Sequence, residues 1–209
     1  MDASQVPDAR TQQQRRILAA AVACFGRSGF HGASMHDICA EAGMSAGNLY
    51  RYFPSKEAII AAIAEAERER NKVYFEELDR AEDPVLGLTA LARRYFQEMA
   101  QRETPALCAE IMAETYRNPE IRKVFRQNID EVHEAFARTL RRGIAAGQVD
   151  PALDVDVAVR VLLAMGDGIV AQRPMAEFMT DDRLEATLAL LLERFLRPER
   201  HAGDFDIDF

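Results

Sequence analysis

Two short helical segments separated by a glycine turn occupy residues 34–53, and this arrangement constrains the fold more than any other feature. Ser34 stands where the first segment is expected to begin, and Asp37 follows three positions later, which is the pattern of a capping box. Gly43 suits the left-handed end of that segment, and Pro54 stops the second segment because proline cannot continue a helix. The spacing predicts a helix-turn-helix unit.

The second of these segments, "SAGNLYRYF", has an unusual outer face. Leu49 and Phe53 lie four residues apart and are expected to point inward. This leaves small and polar residues outside: Ala46, Gly47, Asn48 and Arg51. Such a helix can approach base edges in a DNA major groove, and tyrosines at its rim (Tyr50, Tyr52) can donate hydrogen bonds to phosphate. Packing of the same tyrosines in an ordinary helical core fits the spacing equally well, so the residues leave both interpretations open.

Composition predicts that the rest of the chain is helical as well. The 209 residues are 48% hydrophobic, Ala, Leu, Glu and Arg dominate, and alternating strand patterns are absent. Proline and glycine divide the chain into intervals of one helix each, so we predict an all-α protein of about nine helices. The amino-terminal segment is polar and no apolar run is long enough to span a bilayer, so we expect a cytoplasmic protein without membrane contact.

Charge is unevenly distributed along the chain, whose net charge is −8. Residues 1–60 contain six Lys or Arg and five Asp or Glu, whereas residues 61–209 contain 20 and 29. An anionic polymer is therefore tolerated by the amino-terminal quarter and repelled elsewhere. This asymmetry indicates two regions with different tasks.

Signals of catalysis, metal binding and cofactor binding are absent. The sequence contains no zincin motif or P-loop, and its histidines lack metal-ligand spacing: His31, His36, His133 and His201. Cys24, Cys39 and Cys108 form no C-x-x-C pair, and they fit reduced thiols in helix cores better than redox sensors. We therefore predict a protein that is not an enzyme and binds neither metal nor cofactor.

The stretch "ASMHDICAEAGMSAGNLYRYFPSKEAIIAAI" resembles the DNA-binding signature of the TetR family of transcriptional repressors, over roughly residues 11–63. The resemblance lies in Ser34, Ile38, the turn "EAGMS", and the runs "LYRYF" and "SKEAI". It implies a ligand-responsive repressor that binds a palindromic double-stranded operator as a homodimer. A small apolar or amphipathic effector is then expected to release it.

The resemblance also implies roles for single residues. In this family, positions matching Ser34, Tyr50 and Lys56 contact phosphates, and the position matching Tyr52 touches backbone or base. The turn and the start of the recognition helix lie at the groove: Ser45, Ala46, Gly47 and Asn48. Because Ala46 and Gly47 carry no base-reading side chain, direct readout is expected to depend on Asn48, Arg51 and Tyr50.

The expected domains follow from the same resemblance. Residues 1–56 are a DNA-binding domain with a short polar arm, residues 57–197 a larger helical effector-binding and dimerisation domain, and residues 198–209 a disordered acidic tail.

The last two long segments, 155–170 and 182–196, are apolar on more than one face. The additional apolar residues can belong to the core of the protomer or to a surface that a partner covers. The family dimerises through a four-helix bundle of these helices, which implies an interface on them: Val161, Met165, Leu184, Leu188, Leu191, Leu192 and Phe195.

Residues that can line an effector cavity form a further predicted set, although ordinary core packing explains many of them equally well. The set is Tyr95, Met99, Ile111, Met112, Phe125, Asn128, Ile129, His133 and Met165. Two alternative functions remain at this point. One is a helical small-molecule carrier or interaction protein without DNA binding, and the other is a TetR-type regulator without an inducer.

Overall fold

The computed structural model describes residues 9–101, 105–172 and 182–197, so the predicted arm and tail lie outside the described residues. Nine α-helices occupy the described ranges, and no strand occurs among them: α1 Ala9–Gly32, α2 Met35–Ala42, α3 Ala46–Tyr52, α4 Lys56–Arg80, α5 Pro84–Gln101, α6 Pro105–Arg117, α7 Pro119–Ala145, α8 Val155–Gln172 and α9 Asp182–Leu196. The all-α prediction is confirmed. Across those same ranges, none of the helices has the length and apolar character needed to cross a membrane.

Local signals account for most of the helix boundaries. Pro84, Pro105 and Pro119 each begin a helix, at the position where the missing N–H is not needed. Gly43 ends α2 with a φ of 60°, in the left-handed region that glycine enters without steric cost. The helix of residues 9–32 is kinked at Gly29, where φ is 71° and ψ is 167°.

The chain divides into two compact units. The first comprises residues 1–70 and 102–129, and its core is formed mainly by α1 to α4, with Ile121 and Phe125 of α7. Cys24 and Cys39 are buried free thiols in this core, as predicted, whereas the Cys108 side chain lies outside the described residues. The first unit therefore contains α6 and the start of α7 as well as the helix-turn-helix, and the domain boundary at residue 56 stays a prediction.

The second unit comprises residues 71–101 and 130–209. Its larger core packs residues from α4, α5, α7, α8 and α9 together: Leu78, Val85, Leu88, Ala137, Leu140, Val149, Ala158, Val159, Leu162, Leu192 and Leu196. A smaller cluster joins Phe96, Met99, Val170 and Leu188. The helices α4 and α7 contribute residues to both units.

Candidate nucleic-acid interface

The start of α2 is fixed by a reciprocal capping box. Asp37 N–H donates to Ser34 Oγ at 3.2 Å, and Ser34 N–H donates to Asp37 Oδ2 at 2.8 Å. The Ser34 hydroxyl also donates to Asp37 Oδ2 at 2.6 Å. The pKa of the Asp37 carboxyl lies below its ordinary value. The main cause is the hydrogen bond from the Ser34 hydroxyl, and the second is the hydrogen bond from the Ser34 N–H. The predicted cap is confirmed, and the Ser34 hydroxyl must give up its bond to Asp37 if it is to donate to a phosphate.

The outer face of α3 is open and carries small or polar groups. Leu49 is fully buried and anchors the helix, whereas Tyr50 is half exposed. A Cβ added to Gly47 would meet no atom within 4 Å, so nothing in the described structure covers this part of the helix backbone. Ser45 takes the N-cap position of α3, but its side chain makes no capping hydrogen bond. The exposed residues of the turn and helix are Ser45, Ala46, Gly47, Tyr50 and Arg51.

Asn48 and Arg51 are already paired on this surface. Arg51 Nη2 donates to Asn48 Oδ1 at 3.0 Å, and the Arg51 guanidinium lies 5.5 Å from the centre of the Tyr52 ring. The bond leaves the Asn48 amide N–H groups available to base acceptors. The structure thus brings together Asn48 and Arg51, two of the three predicted reading residues, on the surface of α3. Tyr50, two positions after Asn48, is exposed on a different side of the helix.

Lys56 differs from the other predicted DNA contacts because its ammonium is held within the protein. Lys56 Nζ donates to the carbonyl oxygens of Phe30 at 2.6 Å and Ala33 at 2.8 Å. It also lies 4.6 Å from the centre of the Phe30 ring. Two of its three N–H donors are therefore used to hold the segment between α1 and α2.

Two carboxylates of α6 reach the same segment, and sequence reasoning missed their contacts with it. Glu110 Oε2 accepts a hydrogen bond from the Phe30 N–H at 3.3 Å. Glu114, whose side chain is 1% exposed, contacts His31 Nε2 at 3.0 Å and Arg117 at 3.4 Å. Two acidic residues four apart in the largely apolar run "ALCAEIMAE" are a signal in the sequence that could have indicated these contacts.

The predicted effector residues are divided between the two units. In the second unit, Tyr95, Met99 and Met165 pack in one apolar cluster, and the half-buried His133 has Nε2 3.4 Å from the Asp156 carbonyl oxygen. In the first unit, Ile111 and Phe125 belong to the core, Asn128 is half-buried, and Met112 and Ile129 are exposed. Tyr95, Met99 and Met165 are thus brought together, and a cavity shared by the whole set stays a prediction.

The predicted dimer residues also fall into two groups. Leu188 and Leu192 are 6% and 3% exposed and pack in the cores of the second unit, which removes them from the candidate partner surface. Val161 of α8 and Leu191 of α9 are 50% and 42% exposed. The remaining predicted residues are half-buried: Met165, Leu184 and Phe195.

A capped α2 with a buried inner face, a glycine turn and a short α3 with an open polar face define a helix-turn-helix protein. The family model for bacterial regulatory proteins of the TetR family matches residues 17–63, and a tetracycline-repressor-like carboxy-terminal domain matches residues 86–177. The chain belongs to the TetR family and is a transcriptional regulator. Regulators of this family bind operator DNA and small-molecule effectors and act as dimers.

Individual relatives agree with this assignment over most of their length. The HTH-type transcriptional regulator UidR of Escherichia coli K12 is 34% identical over 163 residues, which cover 75% of this chain and 79% of UidR. Among solved structures, Salmonella enterica GusR has a TM-score of 0.76 and 30% identity, with 93% of this chain and 99% of GusR covered. Bacillus subtilis FadR, solved in complex with stearoyl-CoA, has a TM-score of 0.76 and 22% identity, covering 87% of this chain and 98% of FadR, and shows the fold alone.

Proposed function

We propose that this regulator is a repressor that binds a palindromic operator as a homodimer, with α3 in the major groove. The observation that carries the proposal is the open face of α3, where Asn48 and Arg51 stand next to an uncovered stretch of backbone at Gly47. Small side chains allow close approach, and the Asn48 N–H groups can donate to base acceptors. A protein that reads chromosomal DNA in this way works in the cytoplasm.

A selection from a random library of duplexes tests this proposal directly. Wild-type protein should enrich a sequence with two inverted half-sites, whose centres are about one helical turn, or a multiple of it, apart. Affinity for the enriched duplex should fall steeply with salt and exceed affinity for a scrambled duplex by about 10³-fold or more. A carrier or interaction protein without DNA binding would enrich no sequence.

The homodimer is proposed to form through the outer faces of α8 and α9. Val157 and Val161 lie four residues apart on α8 and are both about half exposed, as are Leu190 and Leu191 on α9. Further along α8, a Cβ added at Gly166 or at Gly168 would meet no atom of another described element within 4 Å. Large apolar side chains that remain exposed in the protomer on two helices mark a surface that another chain can cover. A two-fold dimer also matches the symmetry of a palindromic operator.

An apolar or amphipathic effector is proposed to bind near the cluster formed by Tyr95, Met99 and Met165. Methionine side chains adapt to the shape of a ligand, which suits an apolar cavity. FadR, which shares the fold, holds an acyl-CoA, so the fold can enclose such a molecule. A thermal-shift screen with fatty acids and acyl-CoA thioesters tests the effector class.

Release from the operator then has a thermodynamic requirement. If an effector found in this screen lowers operator affinity by about 5–150-fold, the operator must lower effector affinity by the same factor. Calorimetric titration of the protein with and without the enriched duplex measures both. Equal effector affinity in the two titrations would favour the alternative of a regulator without an inducer response.

A further inference from the structure

The backbone of Phe30 is held from two sides. Its N–H donates to Glu110 Oε2 of α6 at 3.3 Å, and its carbonyl oxygen accepts from Lys56 Nζ of α4 at 2.6 Å. The Phe30 ring is 4% exposed and packs against Phe25 at 5.5 Å between ring centres. Both backbone polar groups of Phe30 therefore have charged partners, which make stronger hydrogen bonds than neutral ones.

The Phe30 backbone lies shortly before α2 and α3, the helices of the helix-turn-helix. Gly29, with its positive φ, turns the chain, and four residues later Ala33 precedes the cap of α2. Lys56 also binds the Ala33 carbonyl oxygen at 2.8 Å, so one ammonium holds both ends of the connecting segment. A Cβ at Gly29 would lie 3.1 Å from Glu110 Oε2, which shows how closely this carboxylate approaches the backbone.

Glu110 has a neighbour that reinforces its contact. One helical turn along α6, the buried Glu114 reaches His31, the residue after Phe30. Two successive residues of the α1–α2 segment are thus bound by two carboxylates on one face of α6. This helix consequently fixes the segment from which the helix-turn-helix begins.

We propose that Lys56 and Glu110 are positioning residues, which hold the backbone of Phe30 between α4 and α6 and thereby orient the helix-turn-helix without contacting DNA. The inference rests on the proposed operator binding. It replaces the phosphate contact expected for Lys56, because an ammonium that already binds two carbonyl oxygens and lies over an aromatic ring is committed to the protein.

The two roles of Lys56 make different predictions for the salt dependence of binding. A lysine on a phosphate releases a counterion, and its loss flattens the slope of log affinity against log salt by about one unit. A lysine that positions the helices leaves the number of phosphate contacts unchanged. Lys56→Met keeps the aliphatic stem over the Phe30 ring and removes the donors.

The experiment uses the full chain and the duplex enriched from the random library, with a scrambled duplex beside it. We expect Lys56→Met and Glu110→Ala each to lower affinity for the enriched duplex about tenfold, with an unchanged salt slope and little change on the scrambled duplex. Glu110→Gln keeps an acceptor for the Phe30 N–H and should recover most of the loss. Glu120→Ala removes the same charge from the exposed first turn of α7 and serves as the control.

Each result has a defined meaning. A salt slope flattened by about one unit in Lys56→Met would overturn the inference. Affinity equal to that of the wild type in both Lys56→Met and Glu110→Ala would overturn it too. In either case the proposed function stands as long as the wild-type protein binds the enriched duplex. Equal losses on both duplexes together with a lowered melting temperature would also overturn it, because they indicate general destabilisation. If Lys56→Met does not fold, the comparison of Glu110→Ala with Glu110→Gln tests the inference. Failure of the wild type to enrich any duplex would overturn the proposed function and this inference together.

Discussion

The outer faces of α3 and α9 differ in what they leave exposed. On α3 the buried anchor is one leucine, Leu49, and the exposed positions carry small or polar groups around Asn48. On α9 the inner face is apolar at Leu188, and the outer face is apolar as well at Leu190 and Leu191. A polar open face suits a hydrated, charged partner such as DNA, whereas an apolar one suits a second protein surface. The comparison separates two kinds of partner on one chain.

The largest effect is expected from charging the apolar face. Val161→Glu together with Leu191→Glu would bury unpaired carboxylates in the proposed interface, which costs several kcal/mol, and should raise the dimer dissociation constant about 10³-fold or more. Analytical ultracentrifugation measures this constant. Leu86→Glu is the matched control, since Leu86 is 62% exposed on α5 and should tolerate the charge. If the double variant is dimeric at the same protein concentrations as the wild type, the interface lies elsewhere.

The inner face of α9 should respond differently from its outer face. Leu188→Ala removes a side chain from the core cluster with Phe96 and Val170, and we expect it to lower the free energy of unfolding by about 2–5 kcal/mol. Chemical denaturation at fixed protein concentration measures this loss. Dimer affinity, measured where the variant is folded, should stay close to wild type. A changed dissociation constant with unchanged unfolding would return Leu188 to the interface.

A smaller effect is expected on the polar face of α3. Asn48→Ala removes amide donors that can read one base pair, so discrimination between enriched and scrambled duplexes should fall by about 1–3 kcal/mol. Competition gel-shift assays with both duplexes measure it. The variant keeps Arg51, the cation that pairs with Asn48, so the charge of this face is unchanged. Equal losses on the two duplexes would contradict base readout by Asn48.

The sequence predicted those features whose causes lie within a few residues. The cap at Ser34, the left-handed end at Gly43 and the anchor at Leu49 each depend on signals at most four positions apart. The contact between Phe30 and Glu110 joins residues 80 positions apart, and no local pattern encodes it. The helix-turn-helix was therefore predictable, whereas the residues that hold it were not.

Periodicity also failed to divide the apolar residues of α9 between its two faces. Leu188 and Leu192 are one turn apart and buried, while Leu191 lies between them in sequence and is exposed. When a helix is apolar on most sides, its sequence pattern does not show which side faces the core. The sequence therefore shows that α9 has more apolar residues than one face needs, but not which of them are buried. The packing of the second unit makes that assignment for Leu188 and Leu192.

The smallest expected effect is on stability, and it concerns the carboxylates that cap helices. Each of the two units contains such a carboxylate, and the two differ in their partners. The exposed Asp37 caps α2 with Ser34, whereas Asp83 accepts from the N–H groups of Val85 at 2.9 Å and Leu86 at 3.2 Å and contacts Arg197 Nη2 with both oxygens. Burial alone would raise the pKa of Asp83, but its hydrogen bonds, that from Arg197 foremost, lower it overall.

A carboxyl whose folded pKa is lowered stabilises the protein at pH values above its unfolded pKa, about 3.9, and the stability is lost as the pH falls through the folded value. Asp83→Asn keeps a good capping residue and loses the charge that pairs with Arg197, so we expect a loss of about 1 kcal/mol at pH 7. Urea denaturation from pH 7 down to pH 3.5 should show the difference from wild type shrinking below about pH 4. The control is Asp154→Asn, because Asp154 caps α8 through Asp156 and Val157 N–H groups without an ion pair to any described residue. A difference for Asp83→Asn that is constant over this pH range would mean that the ionised carboxylate contributes nothing beyond the cap.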